Sequence, residues 1–271
     1  MNPMIRKELR QRMRERRGWL LPSLYLVVLG AVVTFAYFLT TQDRQIQDVQ
    51  GSSVGVALFL TLAYSQLGLL LLLAPIFSAG SITIEKEQKT LAGLLTSLLT
   101  SQQIWWGKFV SSLLFVLLLL VTSLPVLSMA FAFGGVGIWE VFTATLTTVI
   151  ILACVSAIGL YYSSAFQRSI HATAVSYATV VAISVVTAIL FFVSLAIYVP
   201  AHSSTPHNGW YDLPLRIRVP MYLNPFFFLT ASFAPVRQLY PAWITCAFIY
   251  VAVGVLALTM AIRNLRRRND A

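Results

Sequence analysis

Along the chain, long apolar runs alternate with short polar ones. Six runs contain no Asp, Glu, Lys or Arg: Leu20 to Thr40, Val56 to Gly80, Phe109 to Phe131, Val141 to Ser163, Ala172 to Val199 and Pro241 to Ile262. Each exceeds the about 18 residues a helix needs to cross hydrocarbon. The period-two alternation of short segments that marks an outer-membrane barrel is absent. The pattern predicts an all-α integral membrane protein with six transmembrane helices. A basic segment precedes the first run, as in a signal peptide, but the run is longer than a signal h-region and "FAYFLTTQ" is a poor cleavage site, so a retained span is expected.

The polar intervals differ in kind. Residues 2–17, "NPMIRKELRQRMRERR", set Ile5, Leu9 and Met13 on one stripe of an otherwise charged segment. That regular stripe predicts an N-terminal helix lying in the membrane interface rather than a solvated tail. Residues 41–55 form a polar loop, "FAFGGVGIWE" a short glycine-rich turn, and "SSAFQRSIHA" a second turn in which His171 is given no role.

Residues 82–108 carry a charged cluster, Glu85-Lys86-Glu87-Gln88-Lys89, and then a leucine stripe at Leu91, Leu94, Leu95, Leu98 and Leu99. The stripe has helical spacing, and its polar side is nearly uncharged. From pattern alone, this short amphipathic helix either docks a partner or rests flat on the membrane.

Residues 200–240 make a long loop that opens polar and then becomes strongly apolar at Asn224, Pro225, Phe226, Phe227 and Phe228. Pro220, Pro225 and Pro235 break it into pieces too short to span. One or two short re-entrant helices are expected, allowed only where protein or a cavity satisfies their backbone.

Composition agrees with this outline. Of 271 residues, 58% are hydrophobic and 10% charged, with a mean hydropathy of +0.79, whereas soluble domains carry about 25% charged residues. With the N-terminus in the cytoplasm, Arg44, Arg216, Arg218 and Arg237 alone fall outside, and the other fifteen of the nineteen Lys and Arg residues fall inside. The positive-inside bias therefore predicts a cell (cytoplasmic or inner) membrane protein with both termini cytoplasmic. The net charge of +10 reads as topology and attraction to anionic membrane lipid. Nucleic acid is not expected as a partner, because the basic residues lack interleaved stacking aromatics. Cys154 and Cys246 fall within spans, as small apolar residues often do.

The missing chemistry is informative. No phosphate-binding loop occurs, since Gly107-Lys108 lacks both the upstream glycine and the following Ser or Thr. There is no His or Cys cluster and no carboxylate pair, so neither a catalytic site nor a metal site is expected. The spans hold no ionisable residue of the kind on which ion-coupled carriers depend. Tyr64, Ser65, Gln66, Thr122, Ser123, Ser184 and Thr187 are their strongest polar groups, and such groups more often join helices than line a site. Uphill movement of a cargo would need energy from a partner.

The run "LAPIFSAGSITIEKEQKTLAGLLTSLLTSQQIWWGKFVSS" resembles the permeases of type-two ATP-binding-cassette (ABC) exporters. The shared positions are Ala74, Pro75, Ala79, Gly80, Ile82, Glu85, Glu87, Thr90, Leu91, Leu94, Leu95, Thr96, Leu99, Ile104, Gly107 and Lys108. The opening "NPMIRKELRQRMR", the six-span layout and "LNPFFFLT" resemble the family as well. Lys86 stands where Arg is commoner, and Leu98 replaces a frequent Pro.

The resemblance implies a single permease domain over 1–271, paired with a second permease chain, identical or related, and driven by separate ABC ATPase subunits. It makes 82–108 a cytoplasmic coupling-helix region in which Glu85, Lys86, Glu87, Thr90, Leu91, Leu94, Leu95 and Leu98 meet the ATPase. No cofactor is expected in this chain, and ATP and Mg would be held by the ATPase. The alternatives are a non-transporting subunit that passes force or signal across the membrane, and a self-sufficient carrier.

Overall fold

The computed structural model describes residues 17–42, 52–89, 101–128, 136–201, 213–233 and 240–269. Within these residues every regular element is helical: α1 (Arg17–Gln42), α2 (Ser52–Glu87), α3 (Ser101–Ser128), α4 (Ile138–Ala165), α5 (Ser169–Val181), a π-helical turn (Ala182–Val186), α6 (Thr187–Ala201), α7 (Leu215–Leu223), α8 (Pro225–Phe233) and α9 (Tyr240–Asn269). Six helices are long and apolar enough to cross a membrane, the fifth being α5, the π turn and α6 run together. They follow the six predicted runs closely. Large apolar side chains such as Phe35, Phe192, Phe248 and Val251 are exposed on their outer faces, an arrangement suited to hydrocarbon rather than water.

Helices α2 and α4 form the centre. Half of α4's apolar window is buried and 44% of α2's, against 11% for the first span and 17% for the fifth. The close approach of α2 and α4 depends on Gly159, where an added Cβ would collide with the Ser78 side chain. Leu67, Leu70, Leu119, Ile151 and Leu152 fill the core between α2, α3 and α4.

Helix α2 has 36 residues and so is about 54 Å long, well beyond the about 30 Å of hydrocarbon. It passes the predicted end at Gly80 and stops at Glu87. There the Gln88 amide donates to the Ile84 carbonyl at 3.0 Å, and Lys89 takes a left-handed φ of 56°, a common way to end a helix. The expected 82–108 region is therefore divided. Residues 82–87 complete α2 and 101–108 begin α3, while Thr90, Leu91, Leu94, Leu95 and Leu98 lie outside the described residues. Ile5, Leu9 and Met13 of the expected N-terminal helix also lie outside them.

Between the fifth and sixth spans, α7 and α8 form a short helical hairpin with Asn224 at its turn. The hairpin packs on α4, α6 and α9. It lies at the end of the bundle opposite Glu87: Phe59, near the start of α2, meets Phe233 edge-on at 5.2 Å.

Candidate functional site

Consecutive residues on a helix point about 100° apart, so three charges in a row fan out toward different neighbours. Glu85, Lys86 and Glu87 do this at the end of α2. Glu85 Oε1 pairs with Lys108 Nζ of α3 at 2.8 Å. Lys108 is only 2% exposed, and its ammonium also donates to the Ser81 carbonyl at 2.7 Å. Lys86 Nζ donates to the carbonyls of Ser163, Ser164 and Phe166, each at 2.8 Å. These carbonyls close the C-terminus of α4, where a helix leaves acceptors unpaired and favours a cation.

Glu87 Oε1 accepts from the Ser169 amide at 2.7 Å and from its hydroxyl at 2.9 Å. That is an anion at the N-terminus of α5, where the dipole is favourable. One turn earlier in α2, the Ile82 and Thr83 amides donate to Ser163 Oγ at 2.9 and 3.1 Å. Asn264 of α9 reaches Ser164 Oγ at 3.5 Å. Beside Lys108, Trp105 is fully buried and stacks on Phe109 at 5.7 Å. The cluster is thus a collar that ties the end of α2 to α3, α4 and α5, with α9 alongside.

A second junction lies far along the bundle, at Asn224. Its Oδ1 accepts from the Phe226 and Phe227 amides at 2.9 and 3.2 Å. This caps α8, with Pro225 as the first helical residue. Its Nδ2 donates to the Ser184 carbonyl at 2.9 Å and to Thr187 Oγ1 at 3.0 Å. One side chain therefore caps the hairpin and satisfies the π turn of the fifth span.

The aromatic run beyond it is buried, Phe228 completely. Phe228 stacks on Tyr250 of α9 at 5.2 Å, and the Tyr250 hydroxyl donates to the Leu223 carbonyl at 2.7 Å. Phe226 faces Tyr64 of α2, whose hydroxyl lies 2.8 Å from Thr230 Oγ1.

The model of the ABC-2 family transporter protein matches residues 3–269, nearly the whole chain. The chain belongs to the ABC-2 transporter family. No curated protein matches it. As an ABC-2 family transporter protein it is a multi-pass membrane protein that fits a permease subunit rather than an enzyme.

Within this ABC-2 protein the three predicted charges are brought together, and each is engaged inside the chain. Their partners Ser163, Ser164 and Ser169 escaped the sequence, although serines flanking a turn between spans are common helix-end residues. The sequence marks Thr187 as a helix-joining group and Asn224 as part of a re-entrant segment, but not the bond between them. The Asn-Pro step ahead of an aromatic run was the available sign, since Asn then Pro is a strong helix start. Among the polar groups noted in the spans, Ser65, Thr122 and Ser123 each donate to a carbonyl of their own helix.

Proposed function

We propose that this chain is the permease subunit of an ABC exporter, working as a dimer of permease chains driven by separate ATPase subunits. The collar is the observation that carries the reading. It joins α2 to α3, α4 and α5 within a few residues of 90–100, the segment proposed to hold the coupling helix. Force applied there would be shared by four helices at once rather than bending one.

Leu91, Leu94, Leu95 and Leu98 supply the apolar contact with the ATPase, with Thr90 beside them. In this reading Glu85, Lys86 and Glu87 transmit the ATPase's movement more than they bind it. The N-terminal helix with Ile5, Leu9 and Met13 lies in the inner interface as a second contact or lever. Both termini are cytoplasmic, and the α7–α8 hairpin is re-entrant on the outer side. The first and fifth spans, the least buried of the six, supply the surface for the second permease chain. Export is the direction implied by the resemblance at 74–108.

Gentle purification of the tagged chain from its own membranes tests the proposal. A stoichiometric P-loop ATPase is expected to accompany it, to be lost with Leu94→Asp/Leu95→Asp and to be retained with Glu87→Gln. Absence of such an ATPase after mild crosslinking would overturn it.

A further inference from the structure

The fifth and sixth spans both pack on α4, yet among the described residues they make at most marginal contact with each other. A cleft is left between them. Its floor is Ile151, Cys154, Val155 and Ile158 of α4, its walls are Val180, Ile183 and Ser184 on one side and Ile249, Tyr250 and Val253 on the other, and its roof is the hairpin tip at Leu223 and Pro225. The cleft holds a cavity of ≈ 50 Å³. Leu223 and Val253 at its rim are 40% and 36% exposed, and Val185, Val186 and Leu256 nearby are also exposed. The mouth therefore opens sideways, onto the apolar outer face of the bundle.

We propose that this cleft binds the terminal segment of an acyl chain from a bilayer phospholipid. Three observations favour that occupant. Water would fit by volume but needs two to four polar partners, and apart from the Ser184 hydroxyl and the Cys154 thiol the polar groups of the lining are engaged. The Ser184 carbonyl takes the Asn224 amide, the Ile183 carbonyl takes the Thr187 hydroxyl, and the Tyr250 hydroxyl is given to Leu223. The cavity is also smaller than the ~150 Å³ apolar site known to take benzene, so it suits a narrow chain better than a ring. Finally, the π turn lies about halfway along Ser169–Tyr198. Midway through an about 30 Å hydrocarbon layer is where lipid chains end.

The source of the opening is the π turn. It widens the helix locally, a change often found at functional sites, and Asn224 holds it in place. The inference needs the chain to span a membrane and the second permease chain to leave the mouth beside Val185 and Val186 open to lipid; it does not depend on the direction of transport.

The test uses the complete chain, purified with whatever accompanies it and placed in lipid nanodiscs. These contain a phosphatidylcholine with a photoactivatable diazirine at the end of one acyl chain. After irradiation, peptide mass spectrometry is expected to find Tyr250 and Cys154 labelled at least fivefold more than Phe248, which faces outward on the same helix as Tyr250. Moving the diazirine next to the ester should remove that preference. Val253→Phe, which narrows the mouth, should lower the label at Tyr250 and Cys154 to the Phe248 level, and Val253→Leu serves if the Phe variant does not fold.

Equal labelling of Tyr250 and Phe248 by the chain-end probe would overturn the site, as would equal preference from the ester-side probe. A Val253→Cys variant that forms an intermolecular disulfide, with no labelling at Tyr250, would assign the cleft to a second copy of the chain and also overturn it.

Discussion

The side-chain amide of Asn224 lies 2.9 Å from the main-chain carbonyl of Ser184, forty residues away in sequence and one helix away in space. Its oxygen meanwhile caps α8. Two different replacements separate the two roles. Asn224→Asp keeps the capping oxygen but loses the donor to the π turn, whereas Asn224→Ala loses both. Each is expected to lower the unfolding free energy in mild detergent, by about 1–3 kcal/mol for a buried group left without its partner. Asp should recover little of the loss, and recovery to wild-type stability would show that the cap alone matters.

Reversing one member of the Glu85–Lys108 pair places like charges together around a buried ammonium site. Glu85→Lys or Lys108→Glu alone is expected to cost about 3–5 kcal/mol, the usual penalty for an uncompensated buried charge. The double reversal should regain at least half of it. A thermal-unfolding cycle on the four proteins measures this directly, and additive losses would mean the pair does not interact.

Lys86 closes the end of α4 with three hydrogen bonds. Lys86→Met keeps the aliphatic stem and removes the cap, and should cost about 1–2 kcal/mol. Hydrogen exchange should quicken at 163–169 and stay unchanged in the α7–α8 hairpin. Glu87→Gln is expected to loosen the start of α5 in the same assay while leaving the α4 end protected.

Gly159 allows α2 and α4 to meet at Ser78. Gly159→Ala is expected to destabilise by about 1–3 kcal/mol through overpacking, and Ser78→Gly in the same chain should relieve part of it. Equal stability of Gly159→Ala and the wild type would mean the two helices can separate there without cost.

Cys154 and Cys246 are buried, so an impermeant thiol reagent should find little background in intact cells. Asp48→Cys and Asn208→Cys are expected to react from outside, and Gln88→Cys only after permeabilisation. The opposite labelling would invert the orientation.

The spans were legible in the sequence because a membrane selects for one property, apolar length, that hydropathy reads directly. Their ends were less so. The second apolar run ends at Gly80, yet the helix continues to Glu87, since Glu85, Lys86 and Glu87 find partners on neighbouring helices instead of ending it. The charges were visible, but the serines and backbone carbonyls that receive them were not, because such groups are present in every helix turn and carry no pattern. Phe226, Phe227 and Phe228 were legible as too apolar for a loop and too few to span. That Asn224 would tie them to Ser184 was hidden, because the π turn itself leaves no periodic trace over five residues.

That turn has a consequence for how substitutions in the fifth span should be compared. A π turn holds about one residue more than an α turn, and one residue is worth about 100° of rotation. Everything in α6 is therefore aimed as though a single amino acid had been inserted at 182–186. Buried Phe191, between exposed Leu190 and Phe192, owes its inward direction to that extra residue. Deleting one residue from 182–186 would let the turn close to an α turn and leave α6 at its present heading, whereas a deletion elsewhere in the fifth span would swing it by about 100°.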